Sequence, residues 1–164
     1  MIILDTNVIS ETLRPSPYYN VINWLNEKDN DDLYLSAIVL AELFSGVACM
    51  PDGKRQRDLK LKLADALELK FEGQILPFDG LCAMQYAELT ARNRLLGKAM
   101  SVPDAQIAAT CLHYGTALAT RNTKDFLHCG IELIDPWQAP TGRRLHEDAA
   151  EYYVMSRKPA RGRT

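Results

Sequence analysis

Short apolar runs alternate with longer amphipathic stretches along this chain. Met1-Ile2-Ile3-Leu4 is unbroken by polar residues and stops at Asp5-Thr6-Asn7. Such a run predicts a short strand buried on both faces. Leu33-Tyr34-Leu35, Thr116-Ala117-Leu118-Ala119-Thr120 and Ile131-Glu132-Leu133-Ile134 repeat the pattern, and Ile75-Leu76-Pro77-Phe78 reads as a shorter extended piece. Helical spacing fills the intervals. A first helix follows Asp5, and Val21, Ile22, Trp24 and Leu25 mark a second. Ser36 is placed to cap a helix over 37–49, and Pro51-Asp52-Gly53 turns the chain. Residues 54–71 carry Leu59, Leu63, Leu67 and Phe71 on one stripe with Lys and Arg opposite. A helix over 79–96 stops at Gly97, and one opened by Pro103 runs to Tyr114 and Gly115. Helices alternating with apolar strands predict an α/β fold with a short, mostly parallel sheet flanked by helices.

At 164 residues, with 47% hydrophobic and 24% charged residues, the chain has the makings of one soluble globular domain. We expect that domain over 1–138. Residues 139–164 form a basic extension, with Arg143, Arg144, Arg157, Lys158, Arg161 and Arg163 against Glu147, Asp148 and Glu151. The net charge of −2 argues against a protein that simply coats nucleic acid. The opening run is too short for a signal-peptide core, and no apolar stretch approaches membrane-spanning length, so a cytoplasmic protein is expected. The four cysteines, Cys49, Cys82, Cys111 and Cys129, lack Cys-x-x-Cys spacing and read as reduced core thiols. His113, His128 and His146 lack metal-motif spacing too, so no cysteine–histidine metal site is expected.

Five polar positions stand out against their surroundings. Asp5 ends a predicted strand, the sheet edge at which α/β folds bind ligands, although it can equally cap the following helix. Glu42 is the only charge in 37–49, whose remaining residues are apolar or small. A helix of that kind is expected to be buried, where a lone carboxylate is costly unless paired or bound to metal. Asp104 lies in the first turn of an otherwise apolar helix, where it also complements the helix dipole. Asn122 and Asp125 follow the strand ending at Thr120, and either can instead cap the next short segment. Asp5, Asn122, Asp125 and the start of the Glu42 helix share the carboxyl edge of a parallel sheet. Asp104 precedes the helix that feeds the Thr116 strand, and by spacing its start falls near the opposite edge.

Converging carboxylates repel, by roughly 4 kcal/mol for two unit charges about 4 Å apart at an effective dielectric near 20. A divalent cation removes that cost. An all-oxygen ligand set without histidine or thiolate suits Mg²⁺, with Mn²⁺ the alternative, over zinc. Metal-assisted phosphodiester hydrolysis, with a metal-activated water as nucleophile, is the natural chemistry and needs no histidine base.

Ile-Leu-Asp-Thr-Asn at 3–7, Ser-Ala-Ile-Val-Leu-Ala-Glu-Leu at 36–43, Val-Pro-Asp-Ala-Gln-Ile-Ala-Ala at 102–109 and Ala-Thr-Arg-Asn-Thr-Lys-Asp-Phe at 119–126 resemble the ordered motifs of PIN-domain ribonucleases. The likeness is to the VapC/FitB toxins of toxin–antitoxin pairs, and it extends from residue 1 to Asp135-Pro136-Trp137. The resemblance implies a PIN-like three-layer fold and a Mg²⁺-dependent endoribonuclease. It makes Asp5, Glu42 and Asp104 the metal-binding acids and brings the Asp104 helix start into the site. The fourth position of the motif falls on Asn122, which adds no charge and points to one tightly held ion; Asp125 is a second candidate there. Thr6, Asn7 and Thr120 are implied to position acids or water. The resemblance also implies a homodimer, a small VapB/FitA-like antitoxin lying over the site, higher assembly with it, and promoter DNA bound only through the antitoxin. Arg92, Arg94 and Lys98, and Lys54, Arg55 and Arg57, are candidate phosphate contacts, or else solvated helix faces.

Two other readings stay open at this level. One is a phosphatase using Asp5 as nucleophile, although the second acid such enzymes carry two residues on is here Asn7. The other is a catalytically weak PIN-fold binding subunit, which Asn122 leaves possible.

Overall fold

In the computed structural model, which describes residues 1–138, five strands make one sheet in the order β3-β2-β1-β4-β5, with every pair parallel. The strands are β1 (Ile2–Leu4), β2 (Leu33–Ser36), β3 (Ile75–Leu76), β4 (Ala117–Ala119) and β5 (Leu133–Ile134). Seven helices flank them: α1 (Thr6–Thr12), α2 (Tyr19–Asn26), α3 (Ala37–Ala48), α4 (Lys54–Lys70), α5 (Gly80–Leu95), α6 (Val102–Tyr114) and α7 (Thr123–Phe126). The expected basic extension, 139–164, lies outside the described residues.

The central strands are apolar on both faces because both faces are covered. Ile3, Leu4, Leu33, Leu35, Leu118 and Ala119 are buried, and they meet Val8, Val39, Leu63, Ile107 and Phe126 from the helices. In α4 and at its C-cap, Leu63 and Phe71 are buried and Leu59 and Leu67 pack against the core, as the stripe predicts. Strand registers Ile3↔Tyr34 and Leu4↔Ala119 align the strand ends, so Asp5, Ser36 and Thr120 emerge together at the carboxyl edge.

The structure corrects three expectations. First, Asp104 does not start at the far edge. Helix α6 hands the chain to β4 through Gly115, whose φ of 62° suits glycine. Its last turn is therefore the one at the amino edge. A crossover helix runs back antiparallel to the strands, so its first turn returns to the carboxyl edge. Thirteen residues at about 1.5 Å each cover roughly 20 Å, enough to span the short strands. Second, α3 is not buried all round. Val39, Leu43 and Val47 face the core, whereas Ala41, Phe44, Ser45, Gly46 and Ala48 are exposed. Third, Cys49 is exposed, and only Cys82, Cys111 and Cys129 are buried; all four are free thiols.

Candidate active site

Asp5 is 5% exposed and sits between β1 and β4, its backbone N–H donating to the Ala119 carbonyl. It is the N-cap of α1, with its Oδ1 accepting from the Thr6 N–H at 2.7 Å. Its Oδ2 accepts from Thr120 Oγ1 and from Asn7 Nδ2, both at 2.6 Å. Thr120 Oγ1 in turn accepts from the Asn122 N–H at 3.0 Å and from Asn7 Nδ2 at 3.1 Å. Asn7 Oδ1 takes the Arg121 N–H. Asp5 thus caps its helix while Oδ2 is clamped, and Oδ1 carries one bond and keeps a lone pair.

Glu42 stands six residues into α3, half-buried, and its Oε2 accepts the Thr6 hydroxyl. Asp104 is held differently. Ser101 caps α6 by accepting the Asp104 N–H at 3.2 Å and donates its own hydroxyl to Asp104 Oδ2 at 2.6 Å, a reciprocal clasp across the first turn. Each carboxylate is therefore anchored through one oxygen, with Glu42 Oε1 and Asp104 Oδ1 left without a partner among the described residues. Ser101 escaped the sequence reading, although the Ser-x-x-Asp spacing at 101–104 is the signal for such a cap.

The electrostatics join the three acids. Burial pushes the Asp5 carboxyl above its ordinary value; hydrogen bonds from Thr120 and Thr6 oppose this, and the charges of Glu42 and Asp104 add to it. None of the three forms an ion pair among the described residues. Glu11 shows the contrast. It is equally buried, but Arg14 pairs with it at 3.1 Å and the Tyr18 N–H fills its other oxygen. Three carboxylates without an ion pair among the described residues, each with lone pairs left over, are a donor set that fits a hard divalent ion. The one group of three or more such side chains with ligand atoms within 4.8 Å among the described residues is elsewhere, at Asp79, Cys82 and His113.

The remaining sequence candidates divide. Asn122 lies at the start of α7, beside Thr120, exposed and without a side-chain capping bond. Asp125 is exposed on α7 and its carboxylate has no hydrogen bond among the described residues. Arg92 is engaged elsewhere: its Nη2 donates to the carbonyls of His128 and Cys129, each at 3.1 Å. Arg94 and Lys98 line a hollow of about 400 Å³ with Asn93 and Met100, at the turn that leads to Ser101. Lys54 and Arg55 share a groove of about 890 Å³ with Thr6 and Glu42; Arg14 and Lys62 line it as well, whereas Arg57 is not in its wall.

Comparison with known proteins follows the same geometry. The PIN domain is matched over residues 2–130. The plasmid stability protein StbB of Pseudomonas syringae pv. tomato is 45% identical over 139 residues, covering 85% of this chain and all of that protein. The VapC ribonuclease Y4jK of Sinorhizobium fredii is 41% identical over 138 residues, covering 84% and 99%. A solved structure of FitAB bound to a DNA fragment superposes with a TM-score of 0.80 at 38% identity, covering 87% of this chain and all of that one.

Proposed function

The chain belongs to the PIN-domain family, and from that premise we propose that it is a Mg²⁺-dependent endoribonuclease of the VapC/FitB toxin type. The observation that carries the proposal is Asp5: a carboxylate buried at the carboxyl edge, with the charges of Glu42 and Asp104 adding to the cost of its burial and no ion pair among the described residues. Relatedness to a VapC ribonuclease and to a FitAB complex supports the same reading.

Asp5, Glu42 and Asp104 would hold the ion, with Mn²⁺ as an alternative to Mg²⁺. When bound, it supplies charge neutralisation to the phosphodiester and acidifies water. The chain's own residues prepare that site. Thr120 and Asn7 fix the plane of the Asp5 carboxylate, which would spare this acid a rotamer search when an ion binds. Thr6 links α1 to α3 by donating to Glu42, and Ser101 aims Asp104. Asn122 stands where a fourth acid would add charge; an amide there favours one ion over two. Arg14, Lys54, Arg55 and Lys62 give the acidic end of the groove a cationic continuation suited to an RNA backbone. Asp5 as a phosphatase nucleophile is disfavoured, because its Oδ2 is held by two donors and Asn7 is one of them.

The proposal extends to partners. A small VapB/FitA-like antitoxin covers the acid site, and DNA is bound only through it. Leu81, Met84, Leu95 and Leu96 leave α5 with exposed apolar side chains that suit a homodimer contact. No helix among the described residues is long and apolar enough to cross a membrane, and we place the activity in the cytoplasm. Expression in a bacterial host tests this part. Growth arrest with RNA fragmentation, relieved by the neighbouring small open reading frame, is expected. Arrest that persists with that partner, or none at all from a folded protein, contradicts the toxin reading.

A further inference from the structure

Sequence spacing argues against a cysteine–histidine metal site, but the fold assembles one set of mixed donors. Asp79, Cys82 and His113 bring a carboxylate oxygen, a thiol sulfur and an imidazole nitrogen within 4.8 Å of one another. The first two come from the start of α5 and the third from the last turn of α6, and these two helices pack along each other. His113 lies nine residues beyond Asp104 on α6, roughly 14 Å along the helix axis, so this cluster is separate from the acid site.

We propose that Asp79, Cys82 and His113 form a second metal site, for Zn²⁺ or a neighbouring late first-row divalent ion, that ties the start of α5 to the end of α6. Three features carry it. The donor set is the sulfur–nitrogen–oxygen combination that such ions favour and Mg²⁺ does not. Anchoring is already present: Asp79 Oδ1 accepts the N–H groups of Leu81 and Cys82 at 3.0 Å each, which leaves Oδ2 for a ligand. Access is present as well, since Cys82 is buried whereas Asp79 is exposed and His113 half-buried, giving a fixed sulfur beneath two ligands with freedom to close on an ion. A fourth position remains for water. In the metal-free protein the Cys82 thiol donates weakly to the Pro77 carbonyl at 3.6 Å. Binding replaces the Cys82 S–H bond with a metal–sulfur bond and releases one proton to solvent.

Co²⁺ is the probe. Titrating the metal-free full chain is expected to give a thiolate-to-cobalt charge-transfer band and tetrahedral ligand-field bands that saturate at one equivalent. Zn²⁺ should bleach both. Cys82→Ser and His113→Ala should lose the bands while retaining the wild-type circular dichroism spectrum, and Asp5→Asn should keep them. For a variant that does not fold, Zn²⁺ competition against a chromophoric chelator by the wild-type chain serves instead, with retention of one equivalent expected. No charge-transfer band from folded wild-type protein overturns the proposal. So does a band that survives Cys82→Ser, which belongs to another thiol, or one that vanishes in Asp5→Asn, which belongs to the acid site.

Discussion

Thr120 Oγ1 donates to Asp5 Oδ2 at 2.6 Å across 115 residues of chain, joining the ends of β4 and β1 at the one carboxylate the fold buries there. The same hydroxyl accepts from the Asn122 N–H, so one oxygen ties the acid to the loop that follows β4. Thr120→Val keeps the shape and removes these bonds. We expect a loss of about 1–3 kcal/mol of stability in denaturant titration, together with slower RNA cleavage. Thr120→Ser should recover most of both. A valine variant that matches wild type in both respects would remove Thr120 from the account.

The raised pKa of Asp5 has a pH consequence. Below its unfolded value, near 3.8, the group is protonated in both states and contributes nothing. As pH rises, the unfolded chain releases the proton first and so binds fewer protons than the folded one. Stability therefore falls until the folded value is passed, and the penalty is complete above it. In EDTA, the melting temperature of wild type should drop relative to Asp5→Asn as pH rises above about 3.8. Excess Mg²⁺ should shrink the drop, because the ion binds the ionised folded form. A pH-independent difference between the two proteins would contradict the electrostatics described for Asp5.

Asn122 is exposed and its side chain caps nothing. Asn122→Ala should lower cleavage by no more than about tenfold, near 1.4 kcal/mol of activation free energy. A loss as large as that of Asp104→Asn would make Asn122 a ligand equal to the acids.

Arg92 and Arg94 should separate by assay. Arg92 fastens α5 to the carbonyls of His128 and Cys129. Its alanine variant should lose about 1 kcal/mol of stability in denaturant titration with RNA affinity unchanged, a value kept low because the bonds are partly exposed. Arg94→Ala, and likewise Lys98→Ala, should leave stability alone and weaken RNA binding in a salt-dependent way. The reverse pattern would exchange their roles.

Most of the element pattern was legible because strands buried on both faces and helices ended by Gly97 and Gly115 leave direct marks in sequence. The acids were legible as exceptions, each a charge among apolar neighbours. Their meeting was not. Spacing placed Asp104 at the wrong edge, since the direction of a crossover helix is set by the parallel sheet and not by its own residues. The solvent face of α3 was missed because Ala41, Phe44 and Ala48 look like core; their exposure is decided by what packs elsewhere. The Asp79–Cys82–His113 cluster was invisible for the same reason: its third member is brought in only when α5 packs on α6.

Cleavage of a defined RNA by the purified chain, with Mg²⁺ and with EDTA, tests the central claim most directly. Cleavage should require the ion, return when Mg²⁺ or Mn²⁺ is added back, and fall by at least about a hundredfold in Asp5→Asn and Asp104→Asn proteins that keep the wild-type circular dichroism spectrum. Cleavage that continues in EDTA, or that survives both substitutions, would contradict a metal site built on Asp5, Glu42 and Asp104.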